Sequence, residues 1–526
     1  MAATRRAGPR GGPQLWTGRC EDRTRGARRA ARFLVAAAAL AGASSAHPSP
    51  PLAPPPPAPL ASRFRASIIT VRVTRQDWNW KTPWAKHAPW TLGTVGVVVP
   101  GRRILVAGGL SGQDVMVEVG KNGDPARTPA RVGQLDLEGP LALLEVDAPA
   151  FWEGLEPLPL AETLPTEGDV TIYYWQRELL DSQPAVIRQV RSGRHGSSRT
   201  NLLTLDLATR TSGTAFGVVV WEGKAAGLLP AAGSGDGLSA IAAPVLAQFL
   251  ADAADGEYRG FARAGIEWQE LTSPALREAI GLAPDEGGVR VTRVQPNGSA
   301  AGLLSPGDVL LELAGTKIDP TGYYEHPLYG RMAAGVLLTD GRRPGDTVEV
   351  VVWREGERHR LAMPLQRMPP EEDKVPPYDS GRGPDYLVVG GLVFQELHGA
   401  YLATWNDWRR RAPPRLIVAL EREGALPTPE RPRMVLLASV LPDAANRGYE
   451  QLHDLIVERV NGRTIGSMSD LRPAFAGPGG SFHVIEFLPG QTTRRIVLDV
   501  VEARASEARI HEAYGVERMD SEAPPP

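Results

Sequence analysis

Cysteine is almost missing from this chain: Cys20 is alone among 526 residues. One thiol closes no intrachain disulfide, and Cys20 precedes an apolar stretch that reads as a cleavable leader, so a processed chain would carry no thiol chemistry. Long apolar runs are missing too. Phe33–Ala41 is far shorter than the roughly 20 residues a transmembrane helix needs. No Cys/His cluster at metal-ligand spacing, no Gly-rich phosphate loop and no EF-hand loop occurs, so neither metal nor nucleotide cofactor is expected. Strong charge of one sign is also missing, the formal net charge being −2. Residues 1–46 hold nine arginines and two acids; without them 58 basic and 60 acidic residues become 49 and 58, a net charge of −9. That excess of acid argues against nucleic acid as a partner.

What the first 46 residues do contain is an export pattern. Arginines recur from Arg5 to Arg32, the apolar run follows, and Ser44-Ser45-Ala46 offers the small residues a signal peptidase needs. Cleavage is expected after Ala46, with delivery to the periplasm or cell envelope. His47–Ser62 is proline-rich and reads, to residue 65, as an extended linker.

From Ala66 short apolar runs alternate with turn residues: Ser67–Val73, Gly93–Val99, Val115–Val119, Leu141–Val146, Val170–Tyr174, Leu202–Leu207 and Gly217–Val220. Such spacing predicts an all-β double barrel over 66–256, closed by a helix at Val245–Ala254. An internal repeat follows. Val289–Pro296 then Pro306–Gly315 is echoed by Val435–Pro442 then Asp454–Gly462, in register to within one residue. Each copy has the strand–helix–strand pattern of a PDZ domain, giving modules at 257–367 and 385–503, a charged, proline-rich linker at 368–384 between them, and a tail at 504–526.

These motifs, taken in order, resemble the HtrA/Deg family of PDZ-containing serine proteases, and in particular its plant-type Deg branch. The implied fold is mainly β: a chymotrypsin-like double β-barrel followed by two α+β PDZ-like domains. The resemblance also locates three catalytic positions. The histidine slot after Ile104-Leu105-Val106-Ala107 falls on Gly109, the aspartate of the Leu141-Ala142-Leu143-Leu144 segment becomes Pro140, and the nucleophile loop from Asp206 places Thr214 where the family has serine, with Ser212 two residues away. No general base remains to activate either hydroxyl. The oxyanion loop reads Ala215-Phe216-Gly217, and the family's glycine-rich partner loop reads Tyr174-Trp175-Gln176-Arg177-Glu178-Leu179. His87 and His195, the nearest substitutes for a base, read as surface loop residues.

The expected protein is therefore an exported pseudoprotease acting in envelope protein quality control as a peptide-binding, chaperone-like or adaptor molecule. A weakly active serine-type endopeptidase built on Thr214 or Ser212, and a regulatory subunit mixed into oligomers of an active relative, are the rivals. In the first PDZ module Arg263-Ala264-Gly265-Ile266 is the candidate carboxylate loop for C-terminal or unfolded polypeptide segments. In the second, Leu392 and Phe394 read as core. Trp78, Trp80, Trp84 and Trp90 offer either core packing or the oligomer contact, trimeric or with an active relative, that the resemblance implies. Asn297-Gly298-Ser299 matches a glycosylation sequon but reads as a PDZ turn.

Overall fold

A computed structural model describes residues 63–526, apart from 177–178, 197, 210–215, 231–237, 255, 284, 379–380, 423, 425–426, 478 and 523–526. The leader, Cys20 and most of the proline-rich linker thus lie outside the described residues. The first six strands are β1 (Ile68–Arg75), β2 (Trp90–Val99), β3 (Arg103–Ala107), β4 (Asp114–Gly120), β5 (Thr128–Asp136) and β6 (Leu141–Glu145). They close into a barrel in the order β1-β2-β3-β6-β5-β4. Closure leaves no strand edge unpaired. Its filling is the alternation seen in sequence: Ile69, Val71, Ile104, Val106 and Leu144 are all buried in one cluster.

Strands β7 (Gly168–Gln176), β8 (Leu179–Gly193), β9 (Leu202–Thr209), β10 (Gly217–Trp221), β11 (Lys224–Leu229) and β12 (Leu238–Ala242) close a second barrel, followed by α1 (Ala243–Asp252). Pro244 in the first turn of α1 lacks an N–H where none is needed. Val245, Leu246 and Phe249 seat the helix on the core shared by this barrel and the next domain.

The first PDZ-like module is a sheet of β13 (Ile266–Glu270), β14 (Val289–Val294), β15 (Val309–Leu313), β16 (Thr316–Lys317), β19 (Thr347–Arg354) and β20 (Glu357–Pro364). The helix α2 (Pro274–Ala279) and the hairpin of β17 (Tyr323–His326) and β18 (Gly330–Ala333) are added to it. The helix expected between β14 and β15 is replaced by turns: Gly298 donates to Gln295 O, and Leu303 and Leu304 to Ala300 O. Proline and glycine at 296, 298, 302, 306 and 307 break any longer helix.

The second module contains β21 (Tyr386–Val389), β22 (Leu392–Glu396), β23 (Val435–Val440), β24 (Leu455–Val460), β25 (Arg463–Thr464), β26 (Phe482–Phe487) and β27 (Arg495–Asp499). Its helices are α3 (Gly399–Leu402), α4 (Trp408–Arg411), α5 (Pro414–Glu421), α6 (Met468–Ala476) and α7 (Val500–Tyr514). Here too no α-helix lies between the repeat's two strands, only a 3₁₀ turn at Ala444–Asn446. Leu392 and Phe394 are fully buried.

Two segments that composition set aside as spacers are packed. Within 368–384, Met368, Asp373 and Val375 are buried; Asp373 pairs with Arg199 of the second barrel at 2.6 Å, and Arg433 donates to the carbonyls of Asp373 and Glu371 at 2.6 and 2.7 Å. Within 504–526, α7 buries Ser506 and Ile510, Val516 is fully buried, and Val388 N–H donates to Met519 O at 2.6 Å.

The Trp-rich segment is likewise used within the chain. Trp80 is buried in the core of the second module, stacked on His398 with ring centres 4.7 Å apart, and its carbonyl accepts from Gln395 Nε2 at 3.0 Å. Lys81 Nζ lies 3.4 Å from the Trp405 ring centre, and burial holds its pKa down at about 8 against the pull of Asp454. Trp84 packs edge-on to Tyr386, whereas Trp90 stays 43% exposed. Among the described residues no helix is long and apolar enough to cross a membrane.

Candidate functional site

The two described positions that the resemblance assigns to the triad, Gly109 and Pro140, are neighbours. Strands β3 and β6 pair in antiparallel register, Ala107 opposite Leu141, and Gly108 N–H donates to Pro140 O at 2.8 Å. Gly109, one residue on, has φ +75° and accepts from Arg75 Nη2 through its carbonyl at 3.0 Å. A Cβ at Gly109 would sit 3.2 Å from Leu92 and 3.3 Å from Thr94, in a backbone conformation that side chains other than glycine's rarely adopt. At Gly108 it would overlap Pro230 O of the second barrel, 1.7 Å away. The backbone at this corner is shaped for two residues without side chains. Thr214 and Ser212 lie outside the described residues; Phe216, just beyond them, packs partly buried on the main core.

The substitute bases divide. His87 is exposed in a loop, as expected. His195 is not a surface residue: it is 7% exposed, its Nε2 lies 3.3 Å from Thr204 Oγ1 inside the barrel, and burial, with Arg191 nearby, pushes its pKa down to about 4. The sequence around it is polar, but Thr204, nine residues away, folds beneath the ring. The partner loop at 174–179 is also different in kind. Register pairing of β7 with β8 continues as far as Gln176 opposite Leu179, so most of the segment is strand.

The carboxylate loop is built from beneath. Ser299 N–H donates to Arg263 O at 3.2 Å, Ala300 N–H to Ala264 O at 3.0 Å and Gln295 N–H to Gly265 O at 2.7 Å. All three carbonyls are thereby turned toward the 295–300 turn. The N–H groups of Ala264 and Gly265, by contrast, donate to no acceptor among the described residues. Gly265 has φ +71°, and a Cβ there would lie 2.6 Å from Gly298 Cα, so the two glycines are packed backbone to backbone. Asn297, the first residue of the sequon pattern, has both side-chain amide atoms buried and lies in this turn instead of projecting into solvent.

Next to the loop, β13 is the edge of its sheet. Among the described residues it pairs with β14 alone, and Glu267, Trp268, Gln269 and Glu270 are exposed. The corresponding strand of the second module, β22, has no such edge: β21 covers it residue by residue from Tyr386–Gln395 to Val389–Leu392. Residues 519–521 cover β21 in turn, through the Met519 carbonyl and Ser521 N–H donating to Tyr386 O. The sequence signal for this difference was faint, residing only in the apolar Tyr386–Val389 run before Gly390-Gly391.

The first module's loop opens on a cavity of about 890 Å³ bounded by the first barrel, the second barrel and the second module. Behind it lies a buried charge cluster that the sequence did not reveal. Glu138, 5% exposed, accepts from Thr200 Oγ1 and Tyr378 Oη, both at 2.8 Å, and from Ser198 Oγ at 3.2 Å. Burial raises Asp373 to about 6 despite Arg199 and Arg263 nearby. Arg263 itself is largely buried, its Nη1 has no hydrogen-bond partner among the described residues, and desolvation lowers its pKa. Among the described residues no group of three His, Cys, Asp or Glu side chains is placed to hold a metal ion.

Two closed six-stranded barrels followed by PDZ-like sheets define the class: a chymotrypsin-like scaffold with PDZ modules appended. Comparison with known proteins agrees. A PDZ domain family matches residues 375–523, beginning inside the expected linker and ending in the expected tail. Protease Do-like 2, chloroplastic, of Arabidopsis thaliana is 26% identical over 78% of this chain and 67% of its own length. Protease Do-like 4, mitochondrial, of the same plant is 25% identical over 74% and 72%. Among solved structures, the HtrA-type protease AlgW with decapeptide aligns with a TM-score of 0.43 and 19% identity, covering 59% of this chain and 98% of that one. Over most of its length the chain is thus similar to Do-like serine proteases of the HtrA/Deg type, and residues 375–523 match a PDZ domain family.

Proposed function

We propose that this chain is an exported pseudoprotease: a protease scaffold without a working hydrolytic centre that captures the free C-terminal ends of polypeptides, as a chaperone-like or adaptor protein. The observation that carries the reading is the unpaired edge β13 headed by the two undonated N–H groups of Ala264 and Gly265. An extended peptide laid antiparallel on β13 completes its ladder, and its terminal carboxylate meets those N–H groups. Ile266, half-buried at the head of β13, would contact the last, apolar side chain. Adding a strand satisfies backbone groups that water otherwise satisfies, so affinity rests on the carboxylate and the terminal side chain.

Loss of hydrolysis follows from chemistry at the other end of the scaffold. A serine-type mechanism needs a base beside the nucleophile, and removing triad members costs roughly four to six orders of magnitude. Gly109 and Pro140 provide no base and no orienting acid, and the backbone at Gly109 disfavours any side chain. Incubation of the full chain with unfolded casein is expected to give no cleavage. Cleavage abolished by Thr214→Ala or Ser212→Ala would establish the endopeptidase rival instead. Export is tested by N-terminal sequencing of protein from the envelope fraction: a start at or near His47 is expected, and a chain beginning at Met1 in the cytosol contradicts it.

A further inference from the structure

Of the 58 basic residues only Lys81, Lys86, Lys121, Lys224, Lys317 and Lys374 are lysine; the rest are arginine. The distinction is chemical, because a guanidinium keeps its proton while a lysine amine can shed it and act as a nucleophile. Lys81 stands in surroundings that favour that. It belongs to residues 76–90, the connection from β1 to β2, at the point where this connection packs on the second module. Its Nζ is 3.4 Å from the ring centre of Trp405, 4.1 Å from that of Tyr401 and 3.9 Å from Asp454 Oδ1. Asp454, 2% exposed, also accepts from Tyr401 Oη at 2.5 Å and lies 2.7 Å from His453 Nδ1, so its charge is shared among several partners. Two aromatic faces therefore do much of the holding, through an attraction that needs a positive charge and vanishes with it. The cage is open to water on one side, since the Lys81 side chain is 43% exposed.

Charge and anchorage are thus linked at one side chain. Trp80 stacks on His398 and Trp84 packs edge-on to Tyr386, so Lys81 lies in the seam between the β1–β2 connection and the second module. Helix α3, which carries Tyr401, also lends Gly399 and Ala400 to the cavity over the carboxylate loop. We propose that Lys81 is an acylation site: its ε-amine accepts an acyl group from a thioester, and the neutral amide leaves the Trp405–Tyr401 cage and loosens residues 76–90 from the second module. In that transfer the neutral amine attacks the thioester carbonyl carbon, a C–N bond forms and the C–S bond breaks. The thiol leaves with the proton from the amine, and nothing is oxidised or reduced. Burial, which brings the Lys81 pKa to about 8 although Asp454 pulls the other way, leaves about a tenth of the amine neutral at pH 7. For an ordinary lysine the neutral share is under about one part in a thousand.

The test has two readouts on the full chain. Acetyl-coenzyme A is the thioester, and acetylation is followed with time by peptide mass mapping, with Lys317, exposed on β16, as the reference within the same molecule. Lys81 is expected to be acetylated about tenfold faster than Lys317, the larger neutral share being partly offset by the weaker nucleophilicity of a less basic amine. Equal or slower acetylation at Lys81 overturns the site. Release is read by amide hydrogen exchange in residues 76–90, before and after acetylation, in the wild type and in Lys81→Arg, which keeps a cation that the thioester does not acylate. Exchange there is expected to quicken about fivefold on acetylating the wild type, and to stay unchanged in Lys81→Arg. Exchange that does not quicken in the acetylated wild type, or quickens equally in both proteins, overturns the release.

Discussion

Gly109 and Gly265 share a property with opposite consequences. Both hold a left-handed backbone, at φ +75° and +71°, with close neighbours where a side chain would begin. On the pseudoprotease reading proposed above, the result at Gly109 is a slot that resists a side chain. Gly109→His is expected to leave the protein inactive and less stable by about 1–3 kcal/mol, measured by denaturant unfolding beside a casein assay. Recovered cleavage would mean that the corner accepts an imidazole after all. At Gly265, on the carboxylate-capture proposal, the same geometry would let the chain turn toward a ligand. Gly265→Val pushes a branched side chain onto Gly298 Cα and is expected to weaken peptide capture at least tenfold from a micromolar dissociation constant, about −7 to −8 kcal/mol. Unchanged affinity in that variant would remove the loop from the binding site. Gly109, Pro140 and Gly265 were singled out in the sequence because the motifs around them resemble those of the HtrA/Deg family, and the positive φ and close packing of the two glycines are visible in the fold. The burial of His195 was not legible, since it depends on Thr204 folding beneath it.

Elements divide along the same line. The barrel runs from Ser67–Val73 to Gly217–Val220 were legible because their apolar residues are local and each is buried by its own sheet, whereas β5, β8, β11 and β12 were not marked. The segments at 368–384 and 504–526 were not legible, because charge and proline read as spacer until distant partners are known: Arg199 for Asp373, Glu138 for Tyr378, Tyr386 for residues 519–521. The Trp-rich segment posed a choice between core and oligomer contact, and Trp80 settles into the second module of its own chain. Trp80→Ala is expected to cost roughly 3–5 kcal/mol by removing a buried aromatic ring. Differential scanning calorimetry would read it as a lower transition temperature for the second module; an unshifted transition would mean that the docking of residues 76–90 contributes little.

At the scale of the whole molecule, buried titrating groups set the response to acid. Burial brings His195 down to about 4 and His398 to about 3, from 6.5 when unfolded. The unfolded chain therefore binds more protons between those values, so both contributions are complete above pH 6.5 and fade as the pH drops toward 4. Asp373 acts in the opposite sense: raised from 3.8 to about 6, it costs stability as the pH rises through that interval. Between pH 7 and 5 each histidine loses on the order of 2 kcal/mol, against about 1 regained from Asp373. A lower melting temperature at pH 5 than at pH 7 is expected, and the difference should narrow in His195→Gln/His398→Gln. A pH-independent melting temperature would place these histidines in contact with water.

Binding and cleavage are separated most directly by one measurement: the full chain is mixed with a peptide ending in an apolar residue and a free carboxylate, and the bound fraction is weighed by mass spectrometry after prolonged incubation. Capture without hydrolysis predicts that the peptide is recovered from the complex at its full mass. Shortened products that vanish in Thr214→Ala or Ser212→Ala would show a working nucleophile and contradict it.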